Sequence, residues 1–154
     1  DWFTGQLFIE KGKMIKYSHS AYDRYYENET VVTIINGLLV DDVEYTNGVK
    51  PGDDRFSRDP HVIQAEIYKR INWDGLPKVS KDKKLYVTIK INGQGEIRES
   101  EINGLIENEY KIEVGSIIKE FPRVQVFYSR GQPINESWVI PIFFTSENRE
   151  RYAR

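Results

Sequence analysis

The chain has 154 residues, with 22 basic and 24 acidic side chains, a net charge of −2 and no cysteine. This length is enough to bury a core without disulfides, in one domain or in two small ones. The composition excludes disulfides and thiolate metal sites, and the charge balance argues against nucleic acid as a partner. No stretch approaches the ~20 apolar residues of a membrane-spanning helix, so we expect no transmembrane segment in this chain.

The first 50 residues have the pattern of short strands separated by turns. The strand-like segments are 3–9, 14–19, 30–35 and 38–45. The dipeptide Asn36-Gly37 is typical of the two-residue turn that joins antiparallel strands. We therefore predict two β-hairpins in residues 1–50, which either extend the sheet of the second half or form a small β unit of their own.

A tyrosine-rich segment at 17–26 is predicted to connect the two hairpins. It has few aliphatic residues, and its rings, hydroxyls and charged groups could form a ligand surface for a glycan or a peptide. The candidate residues are Tyr17, His19, Tyr22, Arg24 and Tyr25. The alternative is structural, because such tyrosines often cap a small sheet with the ring half buried and the hydroxyl in water.

A polar segment at 47–54, with two glycines and a proline, is typical of a loop and marks the predicted domain boundary. A helix is expected next, because Asp59 can cap a helix and Pro60 suits its first position. Isoleucine then recurs every four residues over 63–71, as on one face of a helix. The second predicted domain comprises residues 59–154.

Residues 85–91 alternate between apolar and polar side chains, which predicts a strand with one buried face. The glycine-rich sequence at 92–95 predicts a turn, and a second strand is expected from Glu96. Apolar residues between Tyr110 and Phe121 follow helical spacing. We therefore expect an amphipathic helix that covers the apolar face of the sheet and ends before a proline.

The last predicted element is a β-hairpin at 124–144. In its second strand every second residue is apolar: Trp138, Ile140, Ile142 and Phe144. Pro141 interrupts this pattern because proline has no N–H to donate to a neighbouring strand. We therefore expect at least part of this strand to lie at an edge of the sheet.

From about residue 61 to 145, the order of these elements resembles the C-terminal domain of TonB, the energy transducer of Gram-negative outer-membrane transport, in its divergent Bacteroidetes-like form. The motifs that carry the resemblance are Leu76-Pro77, Tyr86-Val87-Thr88-Ile89-Lys90-Ile91, Asn92-Gly93-Gln94-Gly95, Phe121-Pro122, Gly131-Gln132-Pro133-Ile134 and Val139-Ile140-Pro141-Ile142-Phe143-Phe144. The resemblance implies an α+β fold in which two helices cover a small antiparallel sheet, preceded here by the N-terminal β-hairpins. It also implies a periplasmic or cell-envelope location, with the export signal outside this chain.

The same resemblance implies a non-enzymatic function, the capture of an extended protein or peptide segment by strand addition. In that mode, main-chain hydrogen bonds provide affinity and alternate side chains provide selectivity. A segment of an outer-membrane receptor is one candidate partner. The predicted binding strand comprises Trp138, Val139, Ile140, Ile142 and Phe144.

Two other functional classes are alternatives. One is a self-associating structural module, a homodimer whose edge strands pair with one another. The other is a glycan-acting enzyme that uses paired carboxylates, with Asp41-Asp42, Glu96, Glu99 and Glu101 as candidates. The sequence has none of the motifs typical of nucleophile, zinc, calcium or phosphate sites. We therefore predict no catalytic residue, no metal and no cofactor.

Overall fold

A computed structural model of the chain describes residues 3–10, 13–20, 28–35, 38–78, 81–129 and 131–153. The chain divides into two compact units. The first comprises Asp1–Asp54 and Gln125–Ile134, and the second comprises Arg55–Val124 and Asn135–Arg154. The predicted domain bounds, 1–50 and 59–154, stay a prediction.

The first unit contains a four-stranded antiparallel sheet with its strands in chain order. Its strands are β1 (Phe3–Glu10), β2 (Lys13–Ser20), β3 (Asn28–Ile35) and β4 (Leu38–Thr46). Because β2 pairs with β3 as well as with β1, the two predicted hairpins form one continuous sheet. This sheet shares no strand with the sheet of the second unit.

The first four residues of the predicted connection at 17–26 lie in a strand. Residues 17–20 belong to β2, where Tyr17 pairs with Val31 and His19 with Glu29. These residues have strands on both sides, and β2 ends at Ser20, one residue beyond the predicted end of the strand. The other candidates in this segment, Tyr22, Arg24 and Tyr25, lie outside the described residues.

The predicted hairpin at 124–144 is wrong in its pairing. Residues 125–134 instead contain a short hairpin of their own, β7 (Tyr128–Ser129) with β8 (Gln132–Pro133), and this hairpin belongs to the first unit. Backbone hydrogen bonds account for that placement, because the N–H of Tyr128 donates to the C=O of Gly48 at 2.7 Å. The final strand therefore belongs to the second unit and does not pair with residues 125–134.

The second unit is a small α+β fold, which confirms the predicted fold class. Its strands are β5 (Lys83–Ile91), β6 (Ile97–Asn103) and β9 (Glu136–Phe144), and its helices are α1 (Pro60–Arg70), α2 (Asn108–Lys119) and α3 (Ser146–Tyr152). The three strands are antiparallel in the order β6-β5-β9. Helix α3 was not predicted from the sequence.

The start of α1 follows the sequence signals. The side chain of Asp59 accepts a hydrogen bond from the His61 N–H at 2.8 Å, and Pro60 occupies the first turn. This cap satisfies a donor that the helix leaves without a partner. The helix ends at Arg70, earlier than the predicted end near residues 72–75, and a single 3-10 turn at Trp73–Gly75 follows.

The core of the second unit lies between the sheet and helices α1 and α2. The fully buried residues of β5 alternate along the strand, as predicted, and α2 contributes Tyr110, Val114, Ile117 and Ile118. Burial of each such large apolar side chain contributes about 1.5–3 kcal/mol relative to exposure. The sheet thus has one face packed on helices and one outer face.

The turn between β5 and β6 confirms the prediction at 92–95. The side-chain oxygen of Asn92 accepts hydrogen bonds from the N–H groups of Gln94 at 3.0 Å and Glu96 at 2.9 Å. Gly95 has φ 78°, and a Cβ atom there would lie 2.1 Å from the carbonyl oxygen of Val124. Glycine is therefore required here for both its backbone conformation and its lack of a side chain.

Candidate functional site

The candidate site is the outer edge of β9, which is an edge strand of the three-stranded sheet, as predicted from its proline. It pairs with β5 over its full length without a register shift. Side chains therefore alternate strictly between the two faces of the sheet. Ile140, Ile142 and Phe144 are at most 1% exposed, whereas Val139 is 62% and Phe143 41% exposed on the outer face.

The backbone groups of β9 alternate in the same way. In an antiparallel pair, the N–H and C=O of every second residue face the partner strand, and those of the residues between face away. The carbonyl of Pro141 and both backbone groups of Phe143 bond outside the sheet, which fixes the parity. The odd-numbered residues of β9 therefore present their backbone groups to the outer edge, and the even-numbered residues present theirs to β5.

Side chains from α1 and α3 occupy the edge at Pro141 and Phe143. Gln64 Nε2 donates to the Pro141 carbonyl at 2.7 Å, and the Phe143 N–H donates to the hydroxyl oxygen of Tyr68 at 2.9 Å. Asn148 Nδ2 donates to the Phe143 carbonyl at 2.9 Å. We call residues 141–143 the capped half of the edge, because three side chains take the positions that a neighbouring strand would occupy.

Packing holds the Tyr68 side chain in place. Tyr68 is 6% exposed, and its ring stacks on Tyr152 of α3 with centroids 5.1 Å apart. Burial raises the pKa of Tyr68, partly offset by the hydrogen bond from Phe143. The phenol therefore stays protonated at neutral pH, and its oxygen accepts the hydrogen bond from the strand.

Helix α3 is itself fixed by a cap at its start and by a side chain at its middle. The Thr145 hydroxyl oxygen accepts from the Asn148 N–H at 3.0 Å, which caps the helix. Arg149 donates to the carbonyls of Leu76 at 3.0 Å and Pro77 at 3.2 Å. These bonds hold Asn148 against the end of β9.

The edge at Ser137 and Val139 differs from the capped half. Among the described residues, none outside the sheet makes a hydrogen bond with the backbone groups of Ser137 or Val139. Since these residues have the same parity as Pro141 and Phe143, their N–H and C=O groups face outward. We call residues 137–139 the open half of the edge.

The structure divides the predicted binding residues into two groups. Trp138, Ile140, Ile142 and Phe144 face the core, and their backbone groups face β5. Of the predicted set, Val139 alone combines an exposed side chain with outward backbone groups. The indole N–H of Trp138 is buried without an acceptor among the described residues, so this ring belongs to the packed side of the strand.

A cavity of about 350 Å³ adjoins the open half. Its polar lining residues are Lys90, Asn92, Arg98, Asn135, Glu136 and Ser137. They come from the end of β5, the turn after it, the start of β6 and the start of β9. The cavity adjoins the open half because Lys90, one of its lining residues, pairs directly with Ser137 of β9.

Two ion pairs involve residues that line this cavity. Arg98 contacts Glu96 at 3.2 Å, and Arg58 forms an ion pair with Glu136. Hydrogen bonds from Arg98 and Asn92, the largest causes, lower the pKa of the Glu96 carboxyl, and the charge of Arg123 acts in the same direction. The Glu96 carboxylate is therefore ionised at neutral pH and is engaged by Arg98, and Glu136 is engaged by Arg58.

Of the carboxylates considered for catalysis, the structure describes the side chains of Glu96 and Glu101. Glu96 lies in the turn and is engaged by Arg98, while Glu101 is exposed on β6. Within the described residues, no group of three or more His, Asp or Glu side chains could hold a metal ion. His61 is exposed in the first turn of α1.

Comparison with known proteins adds no relative to this description. No family model, no curated protein and no solved structure matches the chain. In the described part of the chain, no helix is both long enough and apolar enough to cross a membrane. The candidate site therefore rests on the geometry of β9 and its surroundings.

Sequence reasoning missed the three capping side chains and α3. One signal was present, because Thr145 precedes Asn148 by three residues, the spacing of a helix N-cap. Gln64 and Tyr68 lie four residues apart and therefore share one side of α1. Nothing in the sequence indicates that this side of α1 meets the edge of β9, since that depends on the packing of α1 against the sheet.

Proposed function

We propose that this chain is a non-enzymatic binding module of the cell envelope, similar to a TonB C-terminal domain, that accepts an extended protein or peptide segment by strand addition. The observation that supports the proposal best is the open half of the β9 edge. Ser137 and Val139 each offer one outward donor and one outward acceptor. An incoming strand can use all four groups, and main-chain bonds of this kind provide the affinity in strand addition.

The capped half limits where such a segment can pair. Beyond Val139, the incoming strand meets Gln64 at the Pro141 carbonyl and Tyr68 at the Phe143 N–H. It must either turn away there or displace side chains that already make hydrogen bonds. The proposed pairing is therefore short and is centred on Ser137 and Val139, rather than extending along 138–144.

The outer face of the sheet offers side-chain contacts to the same segment. Val139 is 62% exposed, and Tyr86, which pairs with Pro141, is 40% exposed. Alternate residues of an added strand would lie on this face and could pack against these side chains. A periplasmic location and a receptor segment as partner are part of the proposal, because they follow from the resemblance.

Self-association is the second candidate function. Its supporting observation is the same open half, since two copies could pair their β9 strands antiparallel across a two-fold axis. Only short pairing is possible in this arrangement as well, because each copy contributes the same two residues. Sedimentation over a concentration range distinguishes the candidates, since a persistent dimer supports self-association and a monomer supports segment capture.

Amide shifts of a ¹⁵N-labelled sample test the proposal directly. Titration with extended, blocked receptor-type peptides is expected to shift and protect the amides of Ser137 and Val139, while the Phe143 amide stays bonded to Tyr68. The matched control is Val139→Pro, which removes the outward donor and keeps the strand conformation. If no peptide changes the signals of β9, strand addition at this edge is wrong.

A further inference from the structure

The open half of the β9 edge is short, and its limit at Pro141 is set by chemistry. The outward backbone groups belong to Ser137 and Val139, and the next outward position of the strand is Pro141. Proline has no N–H, so this position offers a segment no donor. Its carbonyl already accepts a hydrogen bond from Gln64 Nε2 at 2.7 Å. A segment that uses this edge therefore has to complete its pairing at residues 137–139.

The two directions in which a segment can run use this short edge differently. In antiparallel pairing, two residues that face each other exchange both of their N–H···O bonds. One segment residue opposite Val139 and another opposite Ser137 therefore satisfy all the outward groups, with a single residue between them. In parallel pairing the bonds are slanted, so each segment residue bonds to the residues before and after the one that it faces. A parallel segment has to extend from Glu136 to Ile140 to make the same bonds.

Pro141 disfavours this longer, parallel arrangement. The parallel segment residue opposite Ile140 would donate to the Val139 carbonyl, and its own carbonyl would face the position where Pro141 lacks an N–H. A backbone carbonyl that loses water without gaining a donor costs free energy. The antiparallel arrangement has no such carbonyl, and antiparallel pairing is also slightly more stable per residue. The geometry thus favours a segment that runs opposite to β9.

The antiparallel register places one side chain of the segment beside Val139. Residues that face each other in an antiparallel pair have their side chains on the same face, with Cβ atoms about 4.5–5.5 Å apart. Val139 is 62% exposed on the outer face, and its partner on β5, Thr88, lies on its other side. Aromatic and β-branched side chains pair favourably at this spacing, and the contact removes apolar surface from water. The position opposite Val139 therefore selects for such a side chain.

We propose that the bound segment runs antiparallel to β9 and carries a β-branched or aromatic residue opposite Val139. The proposal rests on strand addition as the proposed function. The segment residue two positions later pairs with Ser137, and the N-terminal part of the segment leaves the edge where Gln64 contacts Pro141. The partner is thereby defined by its direction and by one apolar side chain on the outer face of the sheet.

The test of the side-chain preference uses the full ¹⁵N-labelled chain and two short blocked serine peptides whose central residue is valine or alanine. The valine peptide is expected to bind about two- to fivefold tighter, as for one cross-strand pair. Val139→Ala is expected to reduce this difference, because only the intrinsic strand preference of valine then remains. The control Val62→Ala, at a valine that is 41% exposed on α1, is expected to keep it. Equal affinities, or a difference that Val139→Ala leaves unchanged, would overturn the side-chain contact.

A nitroxide label at either end of the valine peptide tests the direction. The N-terminal label is expected to broaden the Phe143 amide more than the Asn135 amide, and the C-terminal label is expected to do the reverse. The opposite pattern, with shifted amides at Ser137 and Val139, would overturn the antiparallel direction and leave strand addition standing. If no peptide shifts the amides of Ser137 and Val139, strand addition itself fails, and the proposed direction fails with it.

Discussion

The two halves of the β9 edge belong to one strand and have the same parity, yet they meet different surroundings. At Pro141 and Phe143, side chains of α1 and α3 complete the hydrogen bonds that a further strand would make. At Ser137 and Val139, no described residue does so. An exposed strand edge is a risk for unwanted pairing, and proteins usually cover it. Because only the capped half is covered, a further strand can pair with the β9 edge at the open half.

The other edge of the same sheet, on β6, supports this view. The pairing of β6 with β5 has a register shift between Ile89 and Ile91, and β6 carries charged residues such as Arg98 and Glu101. Bulges and charges are common means of discouraging strand addition. The open half of β9 has neither, since its register is continuous and Val139 is apolar and exposed.

Proline substitutions are expected to produce the largest contrast along β9. Ile140→Pro removes an N–H that faces β5 and a side chain that is 1% exposed, so it is expected to cost at least about 3 kcal/mol and to prevent folding. Val139→Pro removes an outward N–H and is expected to cost less than about 1 kcal/mol. Urea denaturation of both variants checks this, and equal losses would contradict the assigned parity.

Removal of the tyrosine cap is expected to have the next largest effect. Tyr68→Phe leaves the Phe143 N–H without its acceptor in a partly buried place, which should lower the free energy of unfolding by about 1–2 kcal/mol. Tyr86→Phe is the matched control, because that tyrosine is 40% exposed on the outer face. Its effect should stay within about 0.5 kcal/mol. A similar loss in both variants would argue against the cap.

Loss of the glutamine cap should cost less, because Gln64 is only partly buried. Gln64→Ala is expected to lower the free energy of unfolding by about 1 kcal/mol through the lost bond to the Pro141 carbonyl. The control is Gln94→Ala in the exposed turn, with no expected change. The variant should also bind longer peptides better than the native chain, since the open half then extends toward residue 141. If affinity depends on peptide length in the same way for Gln64→Ala and the native chain, the open half does not extend toward residue 141.

The smallest expected effect is a loss of stability at alkaline pH. Burial raises the pKa of Tyr68 in the folded chain above its ordinary value of about 10. The folded state therefore favours the protonated phenol, and this contribution is complete below pH ~10 and is lost as pH rises through the folded pKa. Tyr68→Phe should reduce the fall in stability between about pH 9 and 11, relative to Tyr86→Phe. If the free energy of unfolding falls equally steeply with pH in both variants, Tyr68 is not the cause of the fall.

Local patterns in the sequence predicted most of the second unit. The cap at Asp59, the alternation in β5, the turn at 92–95 and the stripe on α2 are each determined by residues close together in the chain. Pro141 indicated the edge position of β9 for the same reason, because a missing N–H is a local property. The predicted α+β class followed from these elements together.

Features that depend on distant contacts could not be predicted. The placement of 125–134 in the first unit depends on contacts such as that between Tyr128 and Gly48, which are far apart in sequence. The division of β9 into two halves depends on where Gln64 and Tyr68 of α1 lie against a strand more than 70 residues later. Sequence alone therefore assigned binding to the whole strand, including four residues that face the core.

Hydrogen exchange of the β9 amides in the free chain tests the central claim most directly. Amides that face β5, at Trp138, Ile140 and Ile142, should exchange slowly, and so should Phe143, because Tyr68 accepts its hydrogen bond. The amides of Ser137 and Val139 should exchange rapidly. Slow exchange at Val139 or rapid exchange at Phe143 would contradict the division of this edge into an open and a capped half.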